Sequence, residues 1–266
     1  MTRHHTFRPL LLYMTIAGAA SAQPAPDAPS FRIETRVHQA NGPALAVNLT
    51  IFSKDVIYDF AGPDESEVAR FEMLTGQFVL LDGGRRVQTD VTNQFLMEFA
   101  TAIGQRGEPP RPWLRPFAHP DFTETYDEKR GQLTLEQPQL VYRIQTQPGP
   151  DAAVLRAYRQ FHDSYTRLNA IRPGGLPPAA RLALNDALDR RGCLATRIER
   201  QLSPADPAWI SEHAFAWQLS APDHERTQRI EGWRRTFPRV SLGAYHAKEP
   251  AAPRTAAAPA PAPAKP

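Results

Sequence analysis

The chain predicts an α+β domain: a strongly curved antiparallel sheet of about eight to ten strands, half-open and barrel-like, with helices packed on one side. Three observations predict it. Residues 31 to 147 largely alternate apolar and polar side chains with a period of two, turn-forming glycines and prolines separate the runs, and after residue 151 the period becomes that of a helix.

Taken in order, the first 22 residues read as an export signal. Arg3 and Arg8 provide a positive start, Leu10 to Ala20 an apolar run, and Ala20-Ser21-Ala22 a small-residue cleavage site. The run falls well short of the ~20 residues a membrane-spanning helix needs. The expectation is cleavage after Ala22, export to the periplasm or beyond, and no transmembrane anchor in the mature chain. Residues 23–30 form a proline-rich linker, 31–240 one domain, and 241–266 a tail ending in AAAPAPAPAKP. Such a tail cannot bury apolar surface, so it is expected to be disordered.

Within the domain, Phe31, Ile33, Thr35 and Val37 share a face opposite Arg32, Glu34, Arg36 and His38. Across the turn Asn41-Gly42-Pro43, Val47, Leu49 and Ile51 repeat the alternation, giving a hairpin with one wet face. DVIYDF and VARFEML continue the meander, and QFVLL meets RRVQTDV across Asp82-Gly83-Gly84, a compact hairpin turn. Thr92 or Asn93 caps a short helix with Phe95, Leu96, Phe99 and Ile103 on its apolar face, stopped by Gly104. Strands follow at 121–127, 132–136 and 139–147. Val154, Tyr158, Phe161, Tyr165 and Leu168 then recur at helical spacing. A second helix starts near Pro177-Pro178 and ends with Arg190-Arg191 before Gly192, with cations in its last turn and glycine after it. Residues 193–202 and 212–220 alternate again and return the chain to the sheet.

Composition narrows the function. Arg3 and Arg8 leave with the signal, so the 31 basic residues fall to 29 against 28 acidic ones. Near neutrality argues against a nucleic-acid binder. Cys193 is the sole cysteine, so no internal disulfide forms, and it reads as a small buried apolar residue. No GxSxG nucleophile turn occurs, and HExxH, paired CxxC, aspartate-rich calcium loops and phosphate-cradling glycine loops are absent. His162 and Asp163 are neighbours on a helix, where they point about 100° apart and do not orient each other. His213 and His224 are the nearest histidine pair for a metal, while Asp121, Glu124, Asp127 and Glu128 read as a solvated acidic edge. No catalytic residue, cofactor or metal is assigned.

Two segments keep functional content. The loop GQRGEPPRPWLRPFAHP places Trp113, Phe117 and His119 among prolines, which lower the ordering cost of a ligand contact. The alternative is that Trp113 and Phe117 plug the end of the sheet. Arg229, Trp233, Arg234 and Arg235 form a basic segment that could meet anionic envelope polymers or lipid head groups, diluted by Glu225 and Glu231.

Taken together, FRIETRV, LAVNLTIF, DVIYDF, FVLLDGGRRVQTDVT, FLMEF, YRQFHDSYTRLNAI and ARLALNDALDRRG resemble a family of uncharacterised exported bacterial proteins over residues 31 to 202. That resemblance supports the strand order and, since the family's members carry no assigned activity, implies no catalytic residue. In outline the chain also resembles the periplasmic lipoprotein-carrier fold, whose sheet interior receives acyl chains. The signal, the strand pattern and the missing catalytic signatures lead to the expectation of an exported, non-enzymatic protein binding an apolar or amphipathic ligand, or a partner protein, in or beside the concave face. A structural envelope component tethered by its tail is one alternative. A hydrolase is another, and it would require a cleft joining His119 or His213 to buried carboxylates.

Overall fold

The computed structural model describes residues 29–247, except 41, 63, 107, 108, 110 and 204. The expected signal peptide, most of the linker, and the tail beyond 247 lie outside the described residues. Six strands come first: β1 (Ser30–Gln39), β2 (Ala44–Ser53), β3 (Val56–Ala61), β4 (Glu67–Glu72), β5 (Gln77–Asp82) and β6 (Val87–Val91). Helix α1 (Asn93–Gln105) and a 3-10 turn lead into α2 (Arg115–Ala118), followed by β7 (Thr123–Asp127), β8 (Gln132–Gln137) and β9 (Leu140–Pro148). Then come α3 (Ala152–Ile171), α4 (Ala179–Arg190), β10 (Cys193–Gln201), β11 (Trp209–Ala216), α5 (Ala221–Thr236) and α6 (Leu242–His246).

All eleven strands form one antiparallel sheet in the order β6-β5-β4-β3-β2-β1-β11-β10-β9-β8-β7. Two meanders, β1 to β6 and β7 to β10, are joined where the returning β11 pairs with β1. The α+β class and antiparallel sheet are as expected, but the count exceeds eight to ten and the sheet neither closes nor curls strongly. The last strand also sits earlier than residues 212–220, at Trp209–Ala216.

The helices cover both faces, not one. Against one face α3 packs Val154, Tyr158, Phe161 and Leu168 onto Phe52, Ile57, Phe71 and Phe78. Against the other α5 packs Ile230 and Trp233, with Phe237 after it, onto Ile51, Tyr58, Phe60, Val79 and Leu81. Ile57, Tyr58, Asp59 and Phe60 are consecutive and all buried. Nearly continuous apolar runs such as QFVLL carry this two-sided burial, since a strand with one wet face alternates. With both faces packed, neither can become the interior of a half-barrel, and the sheet stays open.

The α5 contact is close: a Cβ on Gly83 would lie 2.6 Å from the Trp233 ring, so the β5–β6 turn needs glycine there. The chain after α5 shields the β6 edge, where Gln88 N donates to Pro238 O at 3.0 Å and Val240 N donates to Gln88 O at 2.8 Å. Packing continues past the expected boundary at 240, because Tyr245 of α6 is buried in the core beneath α3. In α1 the Thr92 hydroxyl caps Phe95 N as expected, yet only Leu96 of the four apolar residues is buried and Phe95 is exposed.

Under α4 lies a second core, in which Ala180, Leu184 and Leu188 meet Leu133, Tyr142, Ile144 and Ile198. Cys193 is buried in it as a free thiol. The cores beneath α3 and α4 share one face of the sheet, and they do not merge.

Candidate ligand cavity

Between these two cores the side chains leave a cavity of about 400 Å³. Phe161 of the first core and Phe117, Tyr142 and Ile198 of the second form its apolar walls. Its sheet wall follows from register. Thr35 lies opposite both His213 and Asn48, Thr50 opposite Asp59, and Arg200 opposite both Tyr142 and Trp209. Directly opposed residues on neighbouring strands project to the same face, so all eight line the cavity. The helical wall is His162, Thr166 and Asn169 of α3, spaced by four and three, a polar stripe beside the apolar one. Arg181 of α4 and the loop around Pro177 complete it.

The polar groups are held in different ways. Asp59 accepts from the Thr50 hydroxyl at 2.7 Å and from the Tyr165 phenol at 2.6 Å. Burial pushes its carboxyl upward against those hydrogen bonds, and burial with Asp59 beside it pushes the Tyr165 phenol above its ordinary range. Asp59 also borders a second cavity, lined by Arg172, Tyr245 and His246, so the Asp59–Tyr165 pair forms part of the partition.

His213 shares a hydrogen bond with the Thr35 hydroxyl through Nδ1 at 3.0 Å, while its Nε2 has no partner among the described residues. Burial, then the Arg181 guanidinium, hold its pKa down to about 3. His162 Nε2 is likewise unpartnered, and burial, Arg181 and His213 hold that imidazole well below its ordinary value. Both rings are therefore neutral near pH 7.

Two arginines face the cavity. Arg181 donates through Nε to Asn185 at 3.2 Å, and Asn185 in turn donates to Asp163. The Arg200 guanidinium lies between the rings of Phe117 and Trp209, at 5.8 and 6.0 Å, and its buried Nε has no partner. Burial lowers its pKa, and the nearby Arg181 adds to that. Neither forms an ion pair among the described residues, and Asp59 is the only carboxylate among the residues lining the cavity.

Of the loop residues singled out in the sequence, Phe117 is buried in the cavity wall, Trp113 is 47% exposed and meets Phe117 edge-on, and His119 contacts Arg106 O outside it. The basic segment is largely committed to the chain itself. Arg229 pairs with Glu65 at 2.6 Å and lies over Trp233, and Trp233 packs on the sheet. Arg234 is partly buried, and Arg235 is exposed. His224 is exposed on α5 and does not join His213, Asp163 pairs with Arg159, and Glu124 pairs with Arg190 and Arg191. No group of three or more histidine, cysteine or acidic residues suited to a metal occurs among the described residues. No described helix is long and apolar enough to cross a membrane.

Sequence reading missed His162, Arg181 and Arg200 as cavity residues. The stripe His162, Thr166, Asn169 was the available signal, since it places polar groups beside the buried face of α3.

No family model matches the chain, and no curated protein matches it. Among solved structures it is similar to one described as PNGF-II in a C2 space group, with 8% identity and a TM-score of 0.35. The match covers 80% of this chain and only 30% of that one, and it assigns neither fold nor activity.

Proposed function

We propose that the protein is an exported, non-enzymatic binding protein that takes an apolar or amphipathic ligand between its sheet and the α3–α4 layer. The observation that carries this is the cavity of about 400 Å³, bounded by aromatic side chains from separate elements. Its size falls in the range of small-molecule pockets, ~300–1,000 Å³. The leader-like residues 1–22 support export. The ligand would sit against the sheet face under α3, without the deep concavity of a half-barrel.

The neutral fluorophore N-phenyl-1-naphthylamine tests this reading. The mature protein should enhance its emission, and Ser211→Phe, which projects from the cavity's sheet wall, should abolish the enhancement while leaving the circular dichroism unchanged. No enhancement with wild type, together with no retained ligand in native mass spectrometry, would overturn the reading.

The hydrolase alternative gains one observation, since His213 and the buried Asp59 do line the same cavity and Thr35 bonds His213. Against it, an imidazole with a pKa of about 3 is a weak base for activating a hydroxyl. Both Asp59 oxygens are engaged by Thr50 and Tyr165 and do not orient the ring. Turnover of p-nitrophenyl decanoate that is lost in Thr35→Val would decide for the enzyme.

A further inference from the structure

Burying a guanidinium is costly unless a counter-charge and hydrogen bonds compensate it. Several buried or partly buried guanidiniums of this chain are compensated internally. Arg70, with its side chain 7% exposed, donates to Glu231 at 2.7 Å, Arg159 to Asp163 at 2.7 Å, and Arg226 to Glu65 at 2.7 Å. Arg181 on the helical wall and Arg200 on the sheet wall of the cavity lack such a counter-charge among the described residues. Each is partly buried, and they raise each other's electrostatic cost. Asn185, an amide, and two aromatic faces are the partners they have. The cavity carboxylate, Asp59, is already satisfied by Thr50 and Tyr165, and burial favours its protonated form.

We propose that the cavity is selective for an amphiphile bearing an oxyanion headgroup, held by Arg181 and Arg200, with its apolar body against Phe117, Tyr142 and Phe161; this rests on the ligand-binding reading above. Guanidinium forks match carboxylate and phosphate oxygens alike. The two imidazoles add hydrogen-bonding capacity without adding charge, each presenting an unpartnered Nε2. Anion recognition therefore falls to the two arginines, and the aromatic walls supply a surface that neutral ligands share.

Displacement of N-phenyl-1-naphthylamine at pH 7.5 tests the inference with three probes of equal tail length: decanoate, decyl phosphate and decanol. At least one anion should displace the dye at a tenfold lower concentration than decanol, and which one does so separates a carboxylate from a phosphate headgroup. Arg181→Gln and Arg200→Gln should each weaken the preferred anion at least fivefold and leave decanol unchanged. If decanol competes as well as both anions, the anion inference is overturned while ligand binding stands. If the dye itself fails to bind, the reading beneath it fails and takes the inference with it. The wild-type comparison needs no variant, so a poorly folded substitution does not blunt the test.

Discussion

On β3, Tyr58 and Asp59 point to opposite faces of the sheet, and the polar groups clustered near each are held differently. Under α5, the Tyr58 phenol donates to Glu231 at 2.8 Å and Arg70 donates to the same carboxylate at 2.7 Å. Burial alone would raise Glu231, yet hydrogen bonds from Arg70 and Tyr58 hold its carboxyl below the usual range. Under α3 and α4, Arg200, His162 and His213 each keep a buried nitrogen without a partner among the described residues. The Tyr58–Glu231–Arg70 group closes its polar contacts within the fold, although Gln88 Oε1 and Arg234 Nε on that face are buried without a partner among the described residues. The cavity group carries desolvation that the fold does not recover, a pattern expected where stability is traded for binding.

The largest expected effect comes from unpairing the closed group. Glu231→Leu leaves Arg70 only the more distant Glu72, at 4.0 Å, and should lower the unfolding free energy by about 3 kcal/mol in urea titrations. A loss below about 1 kcal/mol would mean that solvent reaches Arg70 after all.

Next comes pH, which acts on the cavity group. His213 has a folded pKa of about 3, and His162 is also depressed, whereas both protonate near pH 6.5 in the unfolded chain. Their contribution is complete above about pH 6.5 and is lost as pH falls toward the folded values, by at most about 1.4 kcal/mol per pH unit for each histidine. Asp59 opposes them, since its raised pKa lets the folded state take a proton first. The comparison to make is therefore Tm from pH 7 to 5 in wild type and His213→Gln, where the variant should show the shallower fall. Equal slopes would place the ring in contact with bulk water.

The smallest effect is the most telling. Arg200→Met should change stability by no more than about 1 kcal/mol and can raise it, because replacing an uncompensated buried charge by an apolar chain of similar length removes a desolvation cost. A loss as large as that of Glu231→Leu would erase the contrast between the two groups.

Much of the fold is legible along the chain. Val154, Tyr158, Phe161 and Leu168 mark the buried face of α3, and α4 ends at Arg190 before Gly192, whose φ of +60° suits glycine. The cavity is far less legible. Thr35 and His213 stand 178 residues apart and meet only because β11 returns to pair with β1. Phe117 was noticed for its loop, while its partner Arg200 lay within an ordinary alternating strand. Likewise the cluster around Arg229 and Trp233 reads as a basic surface until Glu65 and Gly83 are brought beneath it.

By itself the sequence determined the kinds of element and most of their limits, because the periods of two and of 3.6 are properties of the local backbone. It did not determine that β3 and β5 are buried on both sides, since the expectation placed helices on one side only. Only the tertiary structure decided that the sheet stays open, that two cores form on one face without merging, and that two arginines face the space between them. Those outcomes depend on strand register and on how far helices from distant parts of the chain fill a shared volume, and no window of neighbouring residues encodes either one.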